Sequence, residues 1–129
     1  MRKARLVAAL AAGAAIALVA VPPELSFKKD VQPILNKECA ECHSAQKHKG
    51  KLDLSEGAAY KNLVSAPADE APAMMRVKPG DPEQSYLWLK IEHRTKEGSG
   101  MPKGMFGAKS LPQEQKDLIK GWIEQGARE

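Results

Sequence analysis

The chain has 129 residues, with 20 Lys and Arg against 16 Asp and Glu, two cysteines and few aromatics. That length fits one domain and leaves little for a second. Its formal charge of +4 belongs mostly to residues 1–20, which hold Arg2, Lys3 and Arg5 and no acid; the remainder carries 17 basic against 16 acidic residues. With no broad basic excess and few rings to stack on bases, nucleic-acid binding has little support.

The first element in chain order is a leader. After the basic start the chain runs without charge from Leu6 to Val21, 16 residues, against the roughly 20 that an untilted helix needs to cross a bilayer. A positive start, a short apolar stretch and small residues at Ala15, Ala17 and Ala20 predict a secretory signal over 1–20, or an anchor if it is retained. Residues 21–26, with Pro22 and Pro23, are read as a linker, and 27–129 as the working domain, placed in the periplasm or otherwise outside the cytoplasm. Membrane association is expected only if the leader stays attached.

Phe27, Val31, Ile34 and Leu35 recur near helical spacing, with Asp30 as a cap and Pro33 tolerable in the first turn. The spacing predicts a helix over about 31–41 that delivers the cysteines. Gly50 breaks the chain before a short extended piece with Leu52 and Leu54, and Ser55 is placed to cap a short helix bearing Ala59, Leu63 and Val64. Residues 65–80, rich in Pro and Ala, read as a loop. Asp81, Pro82 and Gln84 have the spacing of a cap, a first helical residue and a capping box, which predicts a helix to about His93. Four glycines and a proline make 94–110 a loop. The last helix begins at Pro112, gathers Leu118, Ile119, Trp122 and Ile123 on one face, and meets Gly126 just past its end. About four helices, one or two extended pieces and no repeat predict a small all-α domain.

Cys39-Ala40-Glu41-Cys42-His43 is C-x-x-C-H, the attachment pattern of c-type haem. Two thiols three positions apart on a helix lie on one side and can both form thioethers, and the next residue brings an imidazole under the iron. The competing readings are weaker. Structural zinc needs four tetrahedral ligands, and the second ligand pair is missing at its usual spacing. A redox dithiol belongs at a helix start after a strand, which is not predicted here. A disulfide would close a tiny loop and gain little entropy.

Several stretches together resemble a class I c-type cytochrome, and more closely the planctomycete-type cytochrome c domains: "FKKDVQPILNKECAECH", "KGKLDLS", "VKPGDPEQSYLWLKI", "MPKG" and "LPQEQKDLIKGWIEQGA". The resemblance implies a compact helical fold packed round one haem c, held through Cys39 and Cys42, with crossing terminal helices and His/Met iron ligation. His43 is then one axial ligand. Of Met74, Met75, Met101 and Met105, Met101 carries over as the other: it precedes Pro102 and follows a glycine-rich approach. Met105 is its closest rival, and a methionine that merely fills a gap is the alternative. Leu52 and Leu54 are expected to cover a haem edge, and Pro79 and Trp88 to line the pocket. Either Trp88 or Trp122 could donate its indole N–H to a propionate. His48 reads as a solvated residue among Lys47, Lys49 and Lys51, a cluster that could steer an acidic partner, and His93 as a helix-end cation.

The function expected on this basis is one-electron transfer between redox protein partners, a donor and an acceptor, with no catalysis. The alternative is a ligand-binding or peroxidatic haem protein with an open or labile sixth iron position. A non-catalytic interaction module is a third reading.

Overall fold

The computed structural model describes residues 20–129, so the leader reading of 1–20 falls almost wholly outside the described residues. No helix among the described residues is long and apolar enough to cross a membrane. Among the described residues four α-helices form: α1 (Gln32–Glu38), α2 (Ala59–Leu63), α3 (Tyr86–Ile91) and α4 (Gln113–Glu124). A two-stranded hairpin, β1 (Lys103–Gly104) with β2 (Gly107–Ala108), pairs Lys103 with Ala108 and Gly104 with Gly107. The mostly helical character predicted from sequence holds; the hairpin lies where only a loop was expected.

The first helix differs from its predicted span. Phe27–Val31 form a wider π-helical turn, and α1 continues from it with Pro33 in its first turn. Asp30 does not cap α1; its carboxylate accepts the backbone N–H of Ser26 at 2.7 Å. The helix stops at Glu38 because the Leu35 carbonyl takes the N–H groups of both Cys39 and Ala40, widening its last turn. Both cysteines therefore lie just past the helix, in a separate turn.

The element predicted over Asp81–His93 is likewise broken. Asp81 caps as expected, its carboxylate accepting the Gln84 N–H at 3.1 Å, but Pro82–Gln84 make a single 3₁₀ turn. Ser85 is extended, φ −102° and ψ 115°, and wholly buried. Its hydroxyl donates to the Asp81 carbonyl at 2.8 Å and accepts the Lys78 N–H at 2.8 Å, so a side chain competes with the helical ladder. Helix α3 begins after it.

The core lies between α4 and the elements flanking α1. Trp122, Ile119 and Ile123 of α4 are buried with Phe27, Val31, Leu35, Leu54, Leu63 and Val77. Phe27 meets Tyr60 edge-on at 5.2 Å and Trp122 at 5.2 Å, which packs the first element against α4. Trp122 donates its indole N–H to the Arg128 carbonyl at 2.7 Å. Leu118 is only partly buried, and Gly126 takes φ +100° at the end of α4.

Candidate haem site

The Cys39–His43 segment is one tight turn. The Cys39 carbonyl accepts the N–H groups of Cys42 at 3.1 Å and His43 at 3.0 Å. Both thiols are free and half-buried. Burial, with Glu38 and Cys42 nearby, pushes the Cys39 thiol up to about 12. A redox-active dithiol needs the opposite, a stabilised thiolate. Among the described residues no three His, Cys, Asp or Glu side chains gather as a metal-holding group, so the four-ligand cage of structural zinc is not assembled.

His43 is fixed by its own loop. Its Nδ1 lies 2.7 Å from the Lys49 carbonyl oxygen. A carbonyl only accepts, so Nδ1 carries the proton and Nε2 keeps its lone pair. Burial disfavours the imidazolium and holds the His43 pKa below its ordinary value, against the opposing pull of that hydrogen bond. The loop that delivers the carbonyl is strained at His48 and Lys51, with φ 33° and 52°, while Gly50 takes its φ of 63° freely. His48 and the neighbouring lysines are exposed, as expected of a solvated face.

The backbone N–H of Leu54 donates to the His43 carbonyl at 2.8 Å, and the Leu54 carbonyl accepts from Gln32 Nε2 at 3.0 Å. This sets the Leu52–Leu54 segment beside the histidine. Leu54 itself is sunk in the core at 1% exposure, while Leu52 is half-buried at the edge of the cluster. Pro79 is exposed, in a turn tied to α4 through the Gly80 N–H and the Ile123 carbonyl, 2.7 Å, rather than to the cysteine turn. Trp88 is buried, and its Nε1 has no hydrogen bond of regular geometry. Glu83 lies close enough for the indole to add slightly to the lowering of its pKa, which comes mainly from Arg94.

Met101 is half-buried, with its N–H donating to the Lys90 carbonyl at 3.0 Å. Met105 is 90% exposed at the hairpin tip, beside Phe106 at 99%. Met74 is half-buried and Met75 43% exposed. The far end of the hairpin is tied close to the cysteines: Lys109 Nζ reaches Glu38, the residue before Cys39, at 3.1 Å. Burial would raise the Glu38 pKa, but hydrogen bonds from Lys109 and Gln115 outweigh it and hold the carboxyl below its usual range.

Three residues passed unnoticed in the sequence. Lys90 is 6% exposed and pairs with Glu70, whose carboxylate is held below its ordinary pKa by Lys90 and Tyr86. Arg76 has a side chain only 15% exposed, donates to the Asn62 carbonyl at 2.9 Å, and is felt electrostatically by His43, as is Glu70. The one available signal was a charged residue in an apolar helical stripe, Lys90 between Leu89 and Ile91, or beside the Met74–Met75 pair, Arg76.

The donor set fits a covalently held haem: two free thiols in one turn, and an imidazole whose Nε2 is left open because a backbone carbonyl holds Nδ1. No curated protein and no solved structure matches the chain. The sequence profile of planctomycete cytochrome C matches residues 39–104, from the first thiol through the Met101 loop. Family and geometry thus meet on the same segment, and the chain belongs to the planctomycete cytochrome C family, whose membership points to covalently bound haem c.

Proposed function

We propose that this protein is a monohaem c-type cytochrome that carries single electrons outside the cytoplasm, with His43 and Met101 as the axial ligands and no bond chemistry of its own. The observation that carries the proposal is the 2.7 Å hydrogen bond fixing His43 Nδ1 on Lys49, immediately after two free thiols in one turn. When bound, the haem supplies a one-electron iron couple. The chain's residues do the rest. Cys39 and Cys42 hold the porphyrin through thioethers. His43 presents Nε2, and the Lys49 carbonyl fixes both its tautomer and its ring plane. Met101 offers a thioether, which favours the reduced state and raises the potential relative to a second imidazole. Leu52, with Leu54 packed behind it, keeps water from one edge, Trp88 shapes the wall, and Arg76 offers a positive charge to a propionate. The exposed Lys47, Lys49 and Lys51 face redox protein partners, a donor and an acceptor.

One observation favours a second reading, a labile sixth position with ligand-binding or peroxidatic behaviour: beyond the buried Pro102, Lys103 to Ser110 are all exposed, so little packing holds the rest of the loop that carries Met101. The absorption spectrum of the ferric holoprotein separates the two. A weak long-wavelength methionine-to-iron charge-transfer band that disappears in Met101→Ala is expected of the carrier. Covalent haem with high-spin features and no such band would overturn it in favour of the open site.

A further inference from the structure

We infer that Lys90 is a positioning residue for the sixth ligand: its buried ammonium, paired with Glu70, clamps residues 97–101 and seats Met101. The inference rests on the His43/Met101 ligation proposed above.

A lysine in the interior is costly unless its charge is paired and its donors are used. Lys90 uses all three. Its Nζ meets the Glu70 carboxylate, lies 3.0 Å from the Ser99 carbonyl and 3.4 Å from the Glu97 carbonyl. Its own carbonyl accepts the Met101 N–H at 3.0 Å. One residue therefore grips the same loop three times, by side chain at 97 and 99 and by backbone at 101.

Tyr86, four positions earlier on α3, adds to the grip. Its ring lies 5.2 Å from the ammonium, and its hydroxyl sits 2.8 Å from Glu70 Oε2 and 3.1 Å from the Glu97 carbonyl, donating to one at a time. The loop glycines are pressed against this cluster. A Cβ on Gly98 would fall 2.7 Å from Glu70 Oε2 and 2.8 Å from Lys90 Nζ, and one on Gly100 would strike the His93 ring. Gly98 also takes φ +66°. The positive φ favours glycine there, and any side chain would have to push the Glu70 and Lys90 head groups aside.

Polar contacts hold this segment where apolar ones do not. Glu97, Gly98 and Ser99 are exposed, and so is every residue from Lys103 to Ser110. A methionine at position 90 would fill much the same volume, yet it would leave the Ser99 carbonyl without its donor, and the Glu97 carbonyl and Glu70 carboxylate with only the Tyr86 hydroxyl between them.

The test uses the haem-loaded protein with Lys90→Met, Glu70→Gln and Met101→Ala. The readouts are the ferric charge-transfer band and the rate of carbon monoxide binding to the ferrous form, which requires the sixth ligand to leave. In Lys90→Met the band is expected to fall at least severalfold and carbon monoxide to bind about tenfold faster, with haem attachment and helical content kept. Glu70→Gln shifts both readouts the same way by less, and it decides the matter if Lys90→Met does not fold. A wild-type band lost in Met101→Ala but unchanged in Lys90→Met and Glu70→Gln overturns the clamp and leaves the ligation standing. A wild-type spectrum indifferent to Met101→Ala overturns the ligation and the clamp with it.

Discussion

Around Trp122 the chain is held by apolar contact: Phe27, Leu35, Ile119 and Ile123 are buried beside it, and its one polar atom is satisfied by a backbone carbonyl. Around Met101 the order is reversed. The segment from Glu97 to Ser99 is exposed, and what fixes it is a buried ammonium, a carboxylate and a phenol. Non-directional burial suits a scaffold, because it tolerates small adjustments while excluding water. Hydrogen bonds suit a loop that must place one atom, because their geometry is narrow. A small domain with few aromatics can build the first kind of region only once, and here it builds it where the terminal elements meet.

That contrast can be broken from either side. The largest effect is expected from Trp122→Ala, which empties the centre of the packed region: the loss is about 3–5 kcal/mol of stability, read by urea unfolding of the holoprotein. A loss under about 1 kcal/mol would show that the attached group rather than the side chains holds the terminal elements. Lys90→Met comes next. It is expected to cost about 1–3 kcal/mol, towards the low end because Glu70 is 49% exposed on its side chain. Limited proteolysis should then cut within 94–110 before α1 or α4 is attacked.

The third effect depends on pH. Glu70 is held below its ordinary value of 4.5 in the folded protein by Lys90 and Tyr86. A carboxylate depressed on folding stabilises above its unfolded pKa, and that contribution disappears as pH falls through the folded value. The stability difference between wild type and Glu70→Gln should therefore stay constant above pH 4.5 and shrink below it. A difference that grows on acidification would assign the wrong sign to the pair. The smallest effect is expected from Phe106→Ser, within about 0.5 kcal/mol, since that ring touches almost nothing at 99% exposure. A larger loss in the holoprotein alone would show that the hairpin tip packs on the bound group.

What the sequence made legible follows the same division. The 3.6-residue spacing of Ile119, Trp122 and Ile123 encodes burial directly, and the Asp81–Pro82 start and Gly126 stop are local chemistry, so those features were readable. The cysteine turn was readable as a motif but misplaced onto a helix, because nothing in the residue pattern shows the Leu35 carbonyl taking two donors. The Ser85 break was hidden for a related reason: a buried hydroxyl competing with the backbone ladder looks like any serine in a helical run. Lys90 was hidden most completely. Its role depends on carbonyls at 97 and 99, and a backbone acceptor has no signature in the sequence.

The hydrogen bonds of Gln125 have a kinetic consequence. Its side chain accepts the Leu25 N–H at 2.8 Å and donates to the Pro23 carbonyl at 3.1 Å, joining positions 100 and 102 residues apart. Each doubling of a loop adds only about 0.6 kcal/mol to the entropy of closing it, so such a long tie is thermodynamically cheap. It is slow all the same, because non-local contacts are rewarded only after that closure. The four α-helices are short and local, so the pairing of the Pro23–Leu25 stretch with α4 is expected to be a late event in folding. A permuted chain in which a linker joins the residues after α4 to the Pro23–Leu25 stretch would make this pairing a local event and is expected to fold faster with no contact added to the folded domain.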